Sequence, residues 1–330
     1  MAKLYLESWA PGFGSPVEAD QSLPPSEVDI DPTVEVSGAW EPLPGLDDGA
    51  RSMAFVDGIR RIDARLTLFD DDDPANGPIP GVCASYAVGA TVWHREGAPY
   101  STFEHVTVRR LAVLGRGRIE QVPYVPGLDY LTEATEGEDD DQLTAHVQTR
   151  MRQAEGACAT DLAREGHFVV ADGPINEFAP HQVIGYVKTH HRSYLAPPEA
   201  ACVGRLQPGE RTPLFRINPL GKFQRYSWYV RLAAVPFGHA WSGVVRCESA
   251  FALGRDEARV VADRTAAILP RVAPPLHIDP RAPQNLVPIA ALEKHLRHQL
   301  GDAALVERAL RAALHAQSTL PPPRPEATRP

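Results

Sequence analysis

Four cysteines in 330 residues, with no CxxC pair among them, and no apolar run long enough to cross a bilayer are the first limits this sequence sets. Cys83, Cys158, Cys202 and Cys247 are spread along the chain. That spacing argues against a thiolate zinc cluster or a disulfide framework and reads as reduced core residues. No internal repeat is visible, and the start, MAKLYLESWAPGF, lacks the basic stretch and apolar region of a signal peptide. The expectation is a cytoplasmic protein with no membrane association. What is present, 43% hydrophobic and 23% charged residues, is a soluble globular composition. A chain of this length can bury the core of one large domain or two ordinary ones.

Charge is unevenly placed. Residues 1–50 hold ten Asp or Glu and one Lys, a balance of −9 that equals the net charge of the whole chain. Residues 182–246 hold nine Lys or Arg against two Glu. Such a basic segment suits a polyanion, because phosphate contacts from Lys and Arg dominate nucleic-acid affinity. It is equally what a set of salt bridges to the acidic arm would look like. The candidate phosphate contacts are Lys188, Arg211, Arg216 and Arg231.

Two apolar runs end in Asp-Gly. Met53-Ala-Phe-Val-Asp57-Gly58 reads as a buried strand, a turn at Gly58 and a return through Ile62, Ala64, Leu66 and Leu68. His167-Phe-Val-Val-Ala-Asp172-Gly173 repeats the logic. Either Asp-Gly alone is more often a tight turn than a metal ligand. Two carboxylates delivered by neighbouring strands to one sheet edge would gather ligands for a hard cation such as magnesium or manganese.

The remaining pattern is mixed. Residues 1–50 are expected to form an extended arm, 51–316 a single body, and 317–330, with PPPRPEATRP, a disordered tail. Val82 to Trp93 reads as a third strand, and Phe103 to Leu114 as a less regular section. Between Asp141 and Arg164, Leu143, Val147, Met151, Ala154, Cys158 and Leu162 recur every three or four positions, predicting an amphipathic helix with Glu155 at the border of its stripe. Gln182 to Lys188 and several segments between 204 and 252 read as strands. Residues 256–269, 286–300 and 302–315 read as helices. The order predicts an α/β fold: a ribonuclease-H-like mixed sheet flanked by helices, with additional strands and a C-terminal helical segment.

Asp57-Gly58 after a first strand, Glu155 on the helix before the next such strand, Asp172-Gly173 closing it, and a late Pro288-Ile-Ala-Ala-Leu-Glu-Lys-His295 helix together resemble the NurA family of DNA-repair nucleases. Glu155 and Asp172 are 17 residues apart, similar to the family's second and third acidic ligands. The resemblance implies a divalent-metal-dependent deoxyribonuclease with Mn2+ or Mg2+ bound by Asp57, Glu155, Asp172 and His295, with His298 as the alternative to the last. It also implies DNA as substrate, a HerA-type hexameric ATPase and translocase as partner, and a homodimer. The family pattern often carries a tyrosine before the proline, where this chain has Val287; Tyr194, Tyr226 and Tyr229 are the candidates to replace it.

Two rival readings share these residues. One is a degenerate, non-catalytic adaptor of a DNA translocase. The other is an actin-like phosphotransferase, which also uses strand-ending Asp-Gly pairs but needs a second similar half that residues 175–330 do not supply. The acidic arm is expected to face outward and to dock a partner through Leu4, Leu6, Trp9 and Trp40. Its competing role is to screen residues 182–246.

Overall fold

The structure is a computed structural model that describes residue 9 and residues 28–69, 77–122, 124–175, 183–190, 194–219 and 223–319. It is a mixed α/β fold built on one twelve-stranded sheet. In chain order the strands are β1 Val28–Asp31, β2 Leu43–Pro44, β3 Ser52–Leu68, β4 Ile79–His94, β5 Tyr100–Leu114, β6 Tyr130–Ala134, β7 Phe168–Asp172, β8 Val183–Val187, β9 Glu210–Arg211, β10 Phe215–Pro219, β11 Arg225–Arg231 and β12 Val244–Ala250. Five α-helices accompany them: α1 Asp140–Arg164, α2 Pro197–Arg205, α3 Arg255–Val272, α4 Val287–Gln299 and α5 Ala303–Thr319.

The sheet order β1-β10-β11-β12-β8-β7-β3-β4-β5-β6 places three consecutive long strands side by side and then brings β7 back beside β3. This is the expected ribonuclease-H-like arrangement. β7 pairs parallel with β3 from Met53↔Phe168 to Val56↔Ala171, and parallel with β8 from Val169↔Val183 to Asp172↔Tyr186. These strands carry continuous apolar runs rather than alternation, as strands covered on both faces must. β7 and β8 end at the level where the pairing of β3 with β7 stops, so Asp57, Asp172 and Lys188 lie close together.

Two expectations are corrected. Asp57-Gly58 is not a hairpin: β3 continues through it for 17 residues. The turn preference of Asp-Gly is local, and ladder pairing overrides it here. The section 103–114 is regular strand, β5, whose residues are exposed or half-buried up to Arg110 and buried only from Leu111 onward. The acidic arm packs on the body in extended form, as expected of it: β1 pairs antiparallel with β10 and β2 with β9. Of the expected disordered tail 317–330, residues 317–319 belong to α5 and 320–330 lie outside the described residues.

The chain divides into two compact units. The first comprises Met1–Asp57, Gly89–His105 and Gln153–Lys294. Its cores pack Met53, Phe55, Val170, Tyr186 and Trp228 with Ala262, Leu269 and Ile289 from the helices, and Trp40 with Phe215, Tyr229 and Cys202. The Trp228 indole donates to Thr265 Oγ1 at 2.9 Å, so the largest buried side chain leaves no polar atom unmatched. The second unit comprises Gly58–Val88, Val106–Arg152 and His295–Pro330. There Cys83, Ala112 and Val125 pack with Val306 and Leu310 of α5. Buried Asp63 accepts hydrogen bonds from Arg61 at 2.8 Å, Tyr130 at 2.7 Å and Ser85. Arg61 and Arg110 also donate to the carbonyl of Leu300 just past α4, where cations suit a helix C-terminus.

The end of α1 shows how sequence sets a loop. Gly166 adopts φ 91°, the N–H of Gly166 donates to Ala163 O and that of His167 to Leu162 O. This pair of bonds is a Schellman cap, which needs a residue without a Cβ penalty at the position Gly166 fills. It turns the chain from helix straight into β7.

Candidate metal centre

The parallel strands deliver the site. Asp57 follows Val56, the last residue of β3 paired with β7, and Asp172 closes β7 on the neighbouring strand. Glu293, on α4, completes the group: ligand atoms of Asp57, Asp172 and Glu293 all lie within 4.8 Å of one another. Asp57 and Glu293 are buried, and Asp172 is half-buried.

Two cations balance part of this charge. Lys188, the residue after β8, places its Nζ 2.6 Å from Asp172 Oδ2 and 3.0 Å from Asn285 Oδ1. Arg281 donates through Nη2 to both Glu293 oxygens, at 2.9 and 2.7 Å. Asp279 holds the loop that supplies these groups, accepting from Asn285 Nδ2 at 2.9 Å and from the Arg281 N–H at 2.7 Å. Asp57 is left in the least favourable position. Burial first, then the charge of Asp172, pushes its carboxyl well above the usual carboxylate range; Lys188 opposes this, and Glu155 and Glu293 add to it. A buried carboxylate crowded by others is where an added divalent ion relieves most electrostatic cost, so the residues present fit a hard cation.

The expected residues divide as follows. Asp57 and Asp172 come together. Glu155, half-buried on α1, is close enough for its charge to act on Asp57 but is not one of the three grouped carboxylates. His295 is not one of them either. It stands two residues beyond Glu293, and two helical steps rotate a side chain by about 200°. His298 is exposed. Glu293 was missed, although its spacing revealed it: four residues after Ile289 and three before Leu296, it is an acid on the buried stripe of α4.

The phosphate-contact candidates sit differently from expectation. Arg211 is 1% exposed, with Glu35 bound at 2.8 Å through each of two nitrogens and Asp263 at 2.7 Å, so its donors are committed inside the protein. Arg231 is buried and donates to the carbonyls of Leu206, Val203, Ala240 and Ser242. Lys188 belongs to the carboxylate centre. Arg216 alone of the four keeps a partly exposed side chain, with Asp29 and Asp31 at 3.7 and 3.6 Å. Tyr226 and Tyr229 are buried, while half-buried Tyr194 lies under the guanidinium of Arg246 at 4.6 Å. The arm's docking residues are also relocated: Trp40 is a core residue, and buried Trp9 donates to Gln284 Oε1 at 3.0 Å. Leu4 and Leu6 lie outside the described residues. Among the described residues no helix is long and apolar enough to cross a membrane.

No known protein-family model matches the chain, and no curated protein does.

Proposed function

We propose that this protein is a divalent-metal-dependent nuclease that hydrolyses phosphodiester bonds in DNA, with its centre at Asp57, Asp172 and Glu293. The observation that carries the reading is the convergence of these three carboxylates, two where the parallel pairing of β3 with β7 ends and one from α4. The NurA resemblance of the same Asp-Gly positions supplies DNA as the substrate class and a HerA-type translocase as partner, with the protein acting as a homodimer.

A manganese or magnesium ion at the centre would supply Lewis-acid polarisation of a phosphate oxygen. The chain's residues prepare that chemistry. Lys188 pairs with Asp172 and brings a positive charge beside the three carboxylates. Arg281 fixes the rotamer of Glu293 through both oxygens, so the carboxylate is oriented before any ligand arrives. Asp57 contributes a carboxylate whose ionised form is favoured once positive charge reaches it. Glu155 adds a fourth negative charge from α1.

The test is cleavage of labelled DNA by the purified protein with Mn2+ or Mg2+. Asp57→Asn, Asp172→Asn and Glu293→Gln should each lower the rate by about 100-fold or more, since each removes a direct ligand rather than a supporting contact. Undiminished cleavage in excess chelator, or full activity in all three variants, would overturn the assignment.

A further inference from the structure

At the opposite end of β7 lies a second cluster of different chemistry. Ligand atoms of Glu104, Glu165 and His167 lie within 4.8 Å of one another. His167 immediately precedes β7 and Asp172 ends it, a separation of five residues or about 16 Å along a strand. The cluster is therefore separate from the carboxylate centre. Two further histidines border it: His105 Nε2 is 3.1 Å from Glu165 Oε1, and His94 Nε2 is 3.4 Å from Glu104 Oε1.

We propose that Glu104, Glu165 and His167, with His94 or His105 as a further donor, form a binding site for a divalent transition-metal ion of the zinc class. The donor spacing fits one ion. Ligands about 2.0 to 2.1 Å from a tetrahedral ion stand about 3.4 Å from each other. The imidazole-to-carboxylate separations are 3.1 Å for His105, 3.4 Å for His94 and 3.8 Å between His167 Nε2 and Glu165 Oε2. The last is too long for a hydrogen bond but suits two donors sharing an ion.

The supporting contacts match those of a ligand set. His167 Nδ1 is 2.7 Å from Ser52 Oγ, and a proton on Nδ1 donated to that hydroxyl leaves the Nε2 lone pair facing the carboxylates. Glu104 accepts from Thr102 Oγ1 at 2.5 Å, a contact that orients its carboxylate towards the cluster. His94 is itself held by stacking on Tyr100 at 4.5 Å. The Schellman cap at Gly166 sets Glu165 and His167 on either side of one turn. The mixture of imidazole and carboxylate selects zinc, cobalt or nickel over magnesium and calcium, which take oxygen ligands.

The experiment uses the full chain carrying Asp57→Asn and Asp172→Asn, which removes carboxylates of the first centre and leaves this cluster intact. Titration with Zn2+ by calorimetry should give one equivalent bound, and Co2+ should develop visible absorption bands of an imidazole-containing site. Adding His167→Gln or Glu104→Gln should weaken Zn2+ at least tenfold and abolish the bands. Ser52→Ala, which removes only the bond to Nδ1, should weaken binding by about 10- to 100-fold. Melting curves establish that each variant folds; if His167→Gln does not, the Ser52→Ala and Glu104→Gln results decide. No bound Zn2+ in the parent, or equal affinity in all folded variants, would overturn the proposal.

Discussion

At Asp57 the carboxyl stands in a place that disfavours its charge, and the protein's stability should register this. Its folded pKa is raised, chiefly by burial and by Asp172, above the 3.8 of an ordinary Asp. Between those two values the unfolded chain has released the proton and the folded chain has not. Unfolding is therefore increasingly favoured as pH rises through that window, and the penalty is complete above the raised value. Asp57→Asn in metal-free protein should accordingly raise Tm at neutral pH, with the gain shrinking as the pH falls towards 4. A variant less stable than the parent at pH 7 would show that Asp57 is compensated in the free protein and that the crowding argument fails. The same residue shows what a local reading loses. Its role as a candidate ligand was legible from an apolar run ending in Asp, but the turn assigned to Asp57-Gly58 was not there. Pairing with β7 as far as Val56 and continuation of β3 to Leu68 decide the backbone, and neither is visible in a dipeptide.

At the scale of elements, β1 and β2 turn an apparent acidic arm into part of the sheet. The sequence shows ten acids before residue 50 but not which cations they meet. The structure pairs Glu35 with Arg211, Asp47 with Arg95 and Arg271, Asp48 with Arg264 and Glu41 with Arg205. Of these, the Glu35–Arg211 pair is the most buried, and Glu35 also accepts the Leu214 N–H at 2.7 Å. Breaking one side of a buried pair leaves an uncompensated charge, which outweighs the modest gain from any exposed pair. Glu35→Gln should therefore cost about 3 kcal/mol, measured by denaturant unfolding, whereas Glu41→Gln on the surface should fall within about 0.5 kcal/mol of the parent. Equal effects would mean that Asp263 alone satisfies Arg211. Helices fared better than strands in the sequence because the 3.6-residue stripe of α1 survives any tertiary setting, and Leu143, Val147 and Leu162 are buried as that stripe requires. β5 was hidden because Glu104, His105, Arg109 and Arg110 interrupt its apolar residues, and two of these belong to the cluster around His167. Glu293 was hidden by its neighbour: the eye goes to His295, while the acid on the apolar stripe is the anomaly.

Over the whole molecule, the basic excess of residues 182–246 is answered internally to a large degree. Arg205, Arg211 and Arg216 face acids of residues 29–41, Lys188 faces Asp172, and Arg231 is enclosed by carbonyls. A charge already paired inside the fold releases few counterions when DNA approaches, because its own counterion is a carboxylate fixed by the chain. The salt dependence of DNA binding should therefore be smaller than nine cations in this segment suggest. Within it, Arg211→Gln and Arg231→Gln should lower stability while leaving the slope of log affinity against log salt unchanged. Arg216→Gln, with its side chain partly exposed and its acids more than 3.5 Å away, should weaken binding to all DNA sequences alike and reduce the slope by about one unit. The measurement is fluorescence anisotropy of labelled DNA over a salt series, using only variants that retain the parent's folded signal. If Arg211→Gln reduces the slope as much as Arg216→Gln does, the Glu35 pairing opens on DNA binding and the β1–β10 edge is part of the DNA path. If neither changes it, the path is formed by cations outside this segment.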